Sequence, residues 1–364
     1  MNGSGIDIAW YSFIFLVPYL FVIVRVCQGL SRIEPSYPRP ASSVKVSVII
    51  TTCRSPEASE DLLSDLTLQI YNHNAYEVII ADDSGGSWEM YTQKADLPGF
   101  RVVPNRGSGK KGAIDTAISE AEGELIITTD DDCRVGKDWI LAIASHYKMS
   151  KAGMIICPVE LTGNNSLFSK LQQLEFISLQ GVTAGSALLG DPLLCNGAGL
   201  AFRRDLYPGL EQLPGSDMPS GDDIFFLHYL KRKGIPVEWV ESESATVRTE
   251  VAGTISGFIR QRSRWASKSL FYNDPSTIFA GLAVLLACAI TATYIVLSFI
   301  DPVFIRTAVI LLLVKSIPDS LVIINRLRFH NRTDLIWYFP VAQLIYPFYA
   351  LISVFGGLFS KKKW

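Results

Sequence analysis

Histidine and paired cysteine are what this chain has least of. Four histidines occur in 364 residues, and none pairs at a ligand spacing, which argues against a histidine-built metal site. The cysteines, at Cys27, Cys53, Cys133, Cys157, Cys195 and Cys288, form no CxxC pair. They lie in apolar or motif contexts and read as reduced thiols with no metal-finger spacing. A charge excess is also missing. The net charge of −2 leaves no global basic field to attract nucleic acid. No basic residue precedes the first apolar run, so the basic start of a cleaved signal peptide is absent.

Apolar residues are abundant: 49% of the chain, with a mean hydropathy of +0.25. They concentrate at the two ends. About Ile8 to Val24 is almost uninterruptedly apolar and aromatic, close to a bilayer span. Arg25, Arg32, Arg39 and Lys45 follow it. The positive-inside bias then predicts an uncleaved anchor with its N-terminus outside and the next domain in the cytoplasm. Three further stretches, about Thr277–Ile300, Val303–Ile324 and Leu335–Phe359, end the chain. Arg326, Arg328 and Arg332 separate the last two and are expected on the cytoplasmic side. Four full crossings would put Lys361-Lys362-Lys363 outside, against the same bias. Pro340 and Pro347 break the last stretch, so a crossing and a re-entrant or interfacial hairpin both stay open. Lys315 and Asp319 lie one helical turn apart inside the second stretch, as a structural pair or as a headgroup contact.

A chain of 364 residues has room for one sizeable domain plus extras. Ser31–Ser43, with three prolines and several serines, reads as a linker. Strand-like runs at Val46–Thr51, Glu77–Ala81, Phe100–Val103 and Glu124–Thr129 alternate with helical patterns at Glu60–Gln69 and Ala113–Ala121. That alternation predicts an α/β fold, a mostly parallel sheet with helices on both faces. Ligands bind such sheets beyond the carboxyl ends of the strands. Three of these strands end in Thr51-Thr52-Cys53-Arg54, Asp82-Asp83 and Asp130-Asp131-Asp132, and would converge on one edge. Asp130 and Asp132 are two apart and point the same way on an extended backbone. The spacing suits one divalent cation, Mg²⁺ or Mn²⁺, with substrate phosphates in the remaining positions. A solvated acidic turn is the plainer alternative.

Gly107-Ser108-Gly109-Lys110-Lys111-Gly112 matches the dinucleotide pattern GxGxxG. Pro104-Asn105-Arg106 separates it from the preceding strand, and the unit is third in order, so that reading is rejected. A Walker A reading fails because Ala113-Ile114 follows Gly112. What survives is an anion site, with Arg106, Lys110 and Lys111 at a helix N-terminus, or a plain basic loop.

From about Val46 to Lys268 the chain resembles membrane-bound family 2 glycosyltransferases, inverting enzymes of GT-A fold that use nucleotide sugars. Val46–Arg54 is similar to the family's VSVIIPTYN strand, with Thr51 for the proline and Cys53-Arg54 for Tyr-Asn. Ala81-Asp82-Asp83-Ser84 resembles VDDGS, and Thr129–Arg134 resembles TDADCR, a form of the metal-binding DxD motif. Cys195–Arg204 is similar to the segment that lines the sugars. Ser220-Gly221-Asp222-Asp223 resembles the ED/TED element, and Gln261-Arg262-Ser263-Arg264-Trp265 matches QxxRW. Other readings are a helix cap for Asp222-Asp223 and a basic amphipathic helix on anionic lipid for the segment around Arg262.

The resemblance implies Asp223 as catalytic base and Asp130 and Asp132 as metal ligands. It implies donor contacts at Thr51, Thr52, Arg54, Asp82, Asp83, Lys111, Asp131, Gln261 and Arg264. Acceptor contacts would be Asn196, Gly197, Asp222 and Trp265. The domains implied are an anchor at 1–30, a linker at 31–44, a cytoplasmic GT-A domain at 45–250, a QxxRW interfacial segment at 251–274 and membrane segments at 275–364. The expected activity is an inverting, metal-dependent hexosyltransferase that forms a glycolipid at the cytoplasmic face of a bacterial inner membrane. Its partners would be a nucleotide-sugar donor and a lipid or glycan acceptor. Variable loops such as Leu161–Gln180 are expected to set specificity. A processive polysaccharide synthase is the runner-up, and a non-catalytic membrane scaffold and a nicotinamide oxidoreductase follow.

Overall fold

The structure, a computed structural model, describes residues 12–39, 44–86, 88, 91, 99–150, 152–213 and 221–359. The start of the first apolar stretch, residues 40–43 of the linker, Ser220 and the three terminal lysines fall outside them. The strands are β1 (Val46–Thr52), β2 (Tyr76–Asp82), β3 (Phe100–Pro104), β4 (Leu125–Asp130), β5 (Arg134–Val135), β6 (Met154–Ile156), β7 (Val159–Thr162), β8 (Leu200–Arg203), β9 (Val237–Trp239) and β10 (Val247–Glu250). The helices are α1 (Val17–Leu30), α2 (Glu60–Thr67), α3 (Gly109–Glu120), α4 (Trp139–Ser150), α5 (Leu167–Leu188), α6 (Asp222–Arg232), α7 (Ile255–Lys268), α8 (Pro275–Ile300), α9 (Ile305–Phe329) and α10 (Phe339–Phe359).

The chain divides into two compact units. One comprises Ile33–Thr162 and Leu194–Glu250. Among its described residues a seven-stranded sheet runs in the order β3-β2-β1-β4-β8-β6-β9. The half from β3 to β4 is parallel, and β8 runs antiparallel to both its neighbours. A smaller sheet has the order β5-β10-β7. β1, β2 and β4 are nearly continuous apolar runs because both of their faces are covered. Val48, Ile50, Val78, Ile80, Ile126 and Ile127 are fully buried.

The register decides what the strand ends share. Thr52 pairs with Asp82, and Thr51 with Asp130. Polar residues that are 30 and 79 positions apart in the numbering, as are the pairs Ser47–Glu77 and Thr52–Asp131, thus become neighbours. The four expected strands are present, three of them longer by one or two residues and the fourth shifted by one. α3 begins four residues ahead of the expected Ala113. Gly107 and Gly112 make this turn: a Cβ on Gly112 would lie 2.8 Å from the Gly107 Cα.

The other unit comprises the chain up to Arg32, Gly163–Leu193, and the chain from Val251. Four helical stretches in its described residues are long and apolar enough to cross a membrane: Phe13–Leu30, Pro275–Ile300, Pro302–Phe329 and Thr333–Leu358. The last is continuous helix from Phe339, where the sequence also allowed a hairpin. Pro340 sits in the first turn of α10, whose N–H groups need no intrahelical partner. Pro347 lies within the helix, as apolar membrane helices tolerate.

The segment from Leu161 to Gln180, expected as a variable loop, is mostly α5, which groups with the membrane helices and cuts across the span 45–250. The reason is packing. α5 crosses α1 so closely that a Cβ on Gly29 would meet the Gly185 carbonyl at 1.8 Å. Leu174 and Ile177 pack with Ile323, Leu327 and Leu335. Lys315 and Asp319 are buried, with a Lys315 Nζ to Asp319 Oδ2 distance of 2.7 Å. Gln343 bonds both of them, and the Tyr19 hydroxyl donates to Asp319 at 2.5 Å. The network is closed on itself, which fits the structural reading of this pair.

Candidate active site at the strand ends

The carboxyl ends of β1, β2 and β4 carry the aspartates, and three short interactions organise them. Thr52 Oγ1 donates to Asp131 Oδ2 at 2.6 Å. Arg54 Nη2 lies 2.9 Å from Asp131 Oδ1 and 3.0 Å from Asp132 Oδ2. Lys110 Nζ lies 2.5 Å from Asp130 Oδ1. Asp131 is buried while the side chains of Asp130 and Asp132 are 36% and 46% exposed, so the two carboxylates of the DxD spacing face outward and the middle one faces in. Burial pushes the Asp131 carboxyl above its ordinary value. Asp132 and Asp130 add to the shift, and the Thr52 bond and Arg54 offset only part of it.

The two aspartates at the end of β2 divide their work. Asp82 is consumed by its own turn. Its carboxylate accepts from the N–H groups of Ser84 at 2.7 Å and Gly86 at 3.0 Å. Gly85 and Gly86 take positive φ there, a conformation that glycine adopts without strain. Asp83 is the exposed partner, and takes one bond from Asn105 Nδ2 at 2.9 Å. The backbone of Arg54 is anchored by the buried Trp88, whose Nε1 donates to its carbonyl at 2.9 Å. Nothing in the strand pattern pointed to Trp88.

Lys110 and Lys111 both begin α3, and successive helix residues diverge by about 100°. Lys110 therefore reaches Asp130, while Lys111 is buried with its ammonium 5.3 Å from the Phe225 ring centroid. Burial works against the charge on Lys110, but Asp130, Asp222 and Asp223 outweigh it and raise its pKa above the ordinary lysine value. Those same three carboxylates define the neighbourhood of Lys110. The ammonium at the strand ends is thus the lysine before the one singled out by sequence.

Asp222 and Asp223 occupy the first turn of α6, after Gly221 at φ 99°, and are not its N-cap. Asp223 Oδ2 accepts from the Gly197 N–H at 3.1 Å, and Oδ1 from the Ile224 N–H at 2.8 Å. These two bonds fix the plane of the carboxylate. Gly197 is held in turn by Thr128, whose hydroxyl donates to its carbonyl at 2.7 Å, and Asn196 caps the Ala198 N–H at 3.0 Å. A Cβ on Gly197 would lie 3.7 Å from Asp223 Oδ2 and 3.8 Å from Asp222 Oδ2, in ordinary contact, so this backbone turn lies directly beside both carboxylates.

The oxygen donors of Asp130 and Asp132 fit a hard divalent cation, and each already attracts a cationic side chain. No group of three or more His, Cys, Asp or Glu side chains among the described residues could hold a metal alone. This suits an ion shared with ligand oxygens, as Mg²⁺ commonly is. Cys133 beside them supplies no ligand. Burial, with Asp130 and Asp132, pushes its thiol well above the ordinary value and keeps it protonated.

Gln261, Arg264 and Trp265 lie on α7, in the membrane-helix unit. There the Arg262 guanidinium stacks 4.2 Å from the Trp265 ring centroid and 4.6 Å from that of Phe258. It forms a buried ion pair with Glu175, and its Nη1 donates to Gln261 Oε1 at 2.8 Å. The basic face expected to lie on lipid is therefore partly internal.

A sequence model described as Glycosyl transferase family 2 matches residues 47–208. An N-acetylglucosaminyltransferase of Rhizobium meliloti (strain 1021) is 24% identical over 257 residues, 64% of this chain and 57% of that protein. An undecaprenyl-phosphate 4-deoxy-4-formamido-L-arabinose transferase of Serratia proteamaculans (strain 568) is 34% identical over 109 residues, 28% of this chain and 31% of that protein. The chain thus spans less than two thirds of these curated relatives. Among solved structures, the mannosyltransferase PcManGT from Pyrobaculum calidifontis, in complex with GDP-Man and Mn²⁺, shares the fold with a TM-score of 0.61 at 17% identity, over 98% of both chains. Residues 47–208 thus match the Glycosyl transferase family 2 model on sequence, and the chain shares its fold with that mannosyltransferase.

Proposed function

We propose that this protein transfers a sugar from a nucleoside-diphosphate sugar to an acceptor hydroxyl, with inversion, and forms a glycolipid at the cytoplasmic face of a membrane. One observation carries the reading. The outward carboxylate of Asp130 and the oriented carboxylate of Asp223 both act on the Lys110 ammonium at the carboxyl ends of the strands, and the outward Asp132 beside them is met by Arg54. The family match and the relatives named as sugar transferases support it. The apolar helices and a relative named for a lipid phosphate support the membrane acceptor. The basic residues after the first helix support the cytoplasmic side.

The chemistry needs a base for a weak nucleophile and a sink for charge on the departing diphosphate. Asp223 takes the acceptor's proton as its oxygen attacks the anomeric carbon. The bond from that carbon to the diphosphate breaks on the opposite face, and the configuration inverts. The bonds from Gly197 and Ile224 hold the base in plane, and a positioned general base contributes about 10²–10⁴-fold. Asp130 and Asp132 would hold Mg²⁺ or Mn²⁺, which when bound supplies Lewis-acid neutralisation of the diphosphate. Arg54 and Lys110 are near enough to the same carboxylates to meet phosphate oxygens. Asp83 is the candidate for the nucleoside and Asn196 for the acceptor. Gln261 and Arg264 as donor contacts, and Trp265 as an acceptor contact, rest on the family resemblance.

Asp223→Asn tests the reading. Transfer should fall by about 10²–10⁴-fold while stabilisation by a nucleoside diphosphate with Mn²⁺, read as a thermal shift, survives. Near-full activity of the variant would remove Asp223 as base. UDP, GDP and CDP are compared first, and a UDP-N-acetylhexosamine is the first donor to try, given the relatives' names.

A further inference from the structure

The strand-end aspartates are already neutralised by the protein itself, and this has a consequence for how they take a metal. Lys110 Nζ stands 2.5 Å from Asp130 Oδ1, and Arg54 Nη2 stands 2.9 Å from Asp131 and 3.0 Å from Asp132. Asp130 Oδ1 and Asp132 Oδ2 belong to the two carboxylates a divalent cation would need. Both cationic side chains are partly exposed, at 36% for Lys110 and 47% for Arg54, and both are long and flexible. Their backbones are held: Arg54 by the bond from Trp88, and Lys110 by the first turn of α3 beside the Gly107–Gly112 contact. Each head group can therefore leave its carboxylate without moving the fold.

We infer that Lys110 and Arg54 are resident counter-cations that compete with divalent metal for Asp130 and Asp132, and that a diphosphate frees these carboxylates by drawing both head groups onto its own oxygens. The inference rests on the metal assignment proposed above and deepens it. A carboxylate that gives up a charge-assisted bond to accept a metal binds that metal more weakly. A diphosphate offers the displaced ammonium and guanidinium equivalent acceptors, so it removes the competition. Metal and diphosphate then strengthen each other's binding, and the coupling is reciprocal. Lys110 also faces Asp222 and Asp223, so its departure from Asp130 leaves it near the proposed base. It acts here as a positioning residue.

The test is Mn²⁺ binding to the full chain in detergent without nucleotide, read by loss of the free-ion spin-resonance signal. Lys110→Met should bind Mn²⁺ roughly tenfold to a hundredfold more tightly than the wild type, the range expected for removing one charged hydrogen bond. Lys110→Arg should stay near the wild type because it keeps the charge. Arg54→Met should move in the same direction as Lys110→Met, and carries the test if the lysine variant does not fold. Asp130→Asn is the control for site. If it abolishes binding while Lys110→Met and Arg54→Met bind no more tightly than the wild type, the competition is refuted and the metal assignment stands. If Mn²⁺ binds none of these proteins, or binds regardless of Asp130, the metal assignment and the inference fall together.

Discussion

The two ends of the parallel sheet carry the same chemistry and use it differently. At the amino end, Glu77 on β2 accepts from Ser47 Oγ at 2.6 Å, from the Glu122 N–H at 2.7 Å and from Arg101 through Nε at 3.1 Å and Nη2 at 2.9 Å. Ser47 in turn accepts from the Gly123 N–H at 2.8 Å. Gly123 lies so near that a Cβ would stand 2.5 Å from the Ser47 nitrogen. Oε1 of Glu77 is saturated by the frame, and Oε2 by Arg101, whose guanidinium is itself tied to the frame by a bond to the Glu120 carbonyl. At the carboxyl end, Asp130 and Asp132 are met by the tips of Lys110 and Arg54. An acid closed in by its own frame stabilises a fold. An acid met by movable cations is available to a ligand.

The comparison can be broken from either end. The largest effect is expected at the carboxyl end: Asp130→Asn should lower transfer by about 10²-fold or more, the scale for losing a group that stabilises developing charge. Its thermal midpoint should stay close to that of the wild type. A marked loss of stability with activity kept would make Asp130 another Glu77. Next is the Lys315–Asp319 pair of the membrane-helix unit, a closed network like that of Glu77. Removing one member of a buried pair costs about 3–5 kcal/mol. Lys315→Met should destabilise the protein on that scale in detergent melts, and Lys315→Met with Asp319→Leu should recover most of the loss. Failure of the double variant to recover would point to a role beyond structure.

The smallest effect is expected at Glu77. Burial alone would raise its carboxyl pKa, but the bonds from Ser47, the Glu122 N–H and Arg101 outweigh burial and hold it below the ordinary value. A depressed folded value stabilises the protein above the ordinary glutamate pKa. The contribution disappears as pH falls through the folded value. Glu77→Gln should therefore cost about 1–3 kcal/mol near neutral pH, and the gap from the wild type should narrow below about pH 4. A gap that does not change with pH would mean that shape, and not charge, is what Glu77 contributes.

Much of this organisation was legible in the chain. The apolar runs that became β1, β2 and β4 were readable because a strand covered on both faces has to be apolar throughout. The polar residues ending those runs could be assigned to one edge, because parallel strands share a direction. Asp130 and Asp132 stood out by alternation alone. Lys110, Trp88 and the partners of Asp223 did not, since their roles depend on residues far away in sequence. The glycine loop before α3 was the available signal for Lys110, and it pointed equally to Lys111.

The sequence by itself therefore determined β1 to β4 with the helices among them, the apolar segments and the acids at the strand ends, because propensity and periodicity act over a few residues. Only the tertiary structure decided which neighbouring lysine reaches Asp130, which aspartate of each pair turns inward, and that Leu167–Leu188 packs as a helix among the apolar helices. Those outcomes depend on side-chain direction and on contacts between distant segments. A rotation of about 100° from one helical residue to the next, or one glycine that lets two backbones meet, settles them.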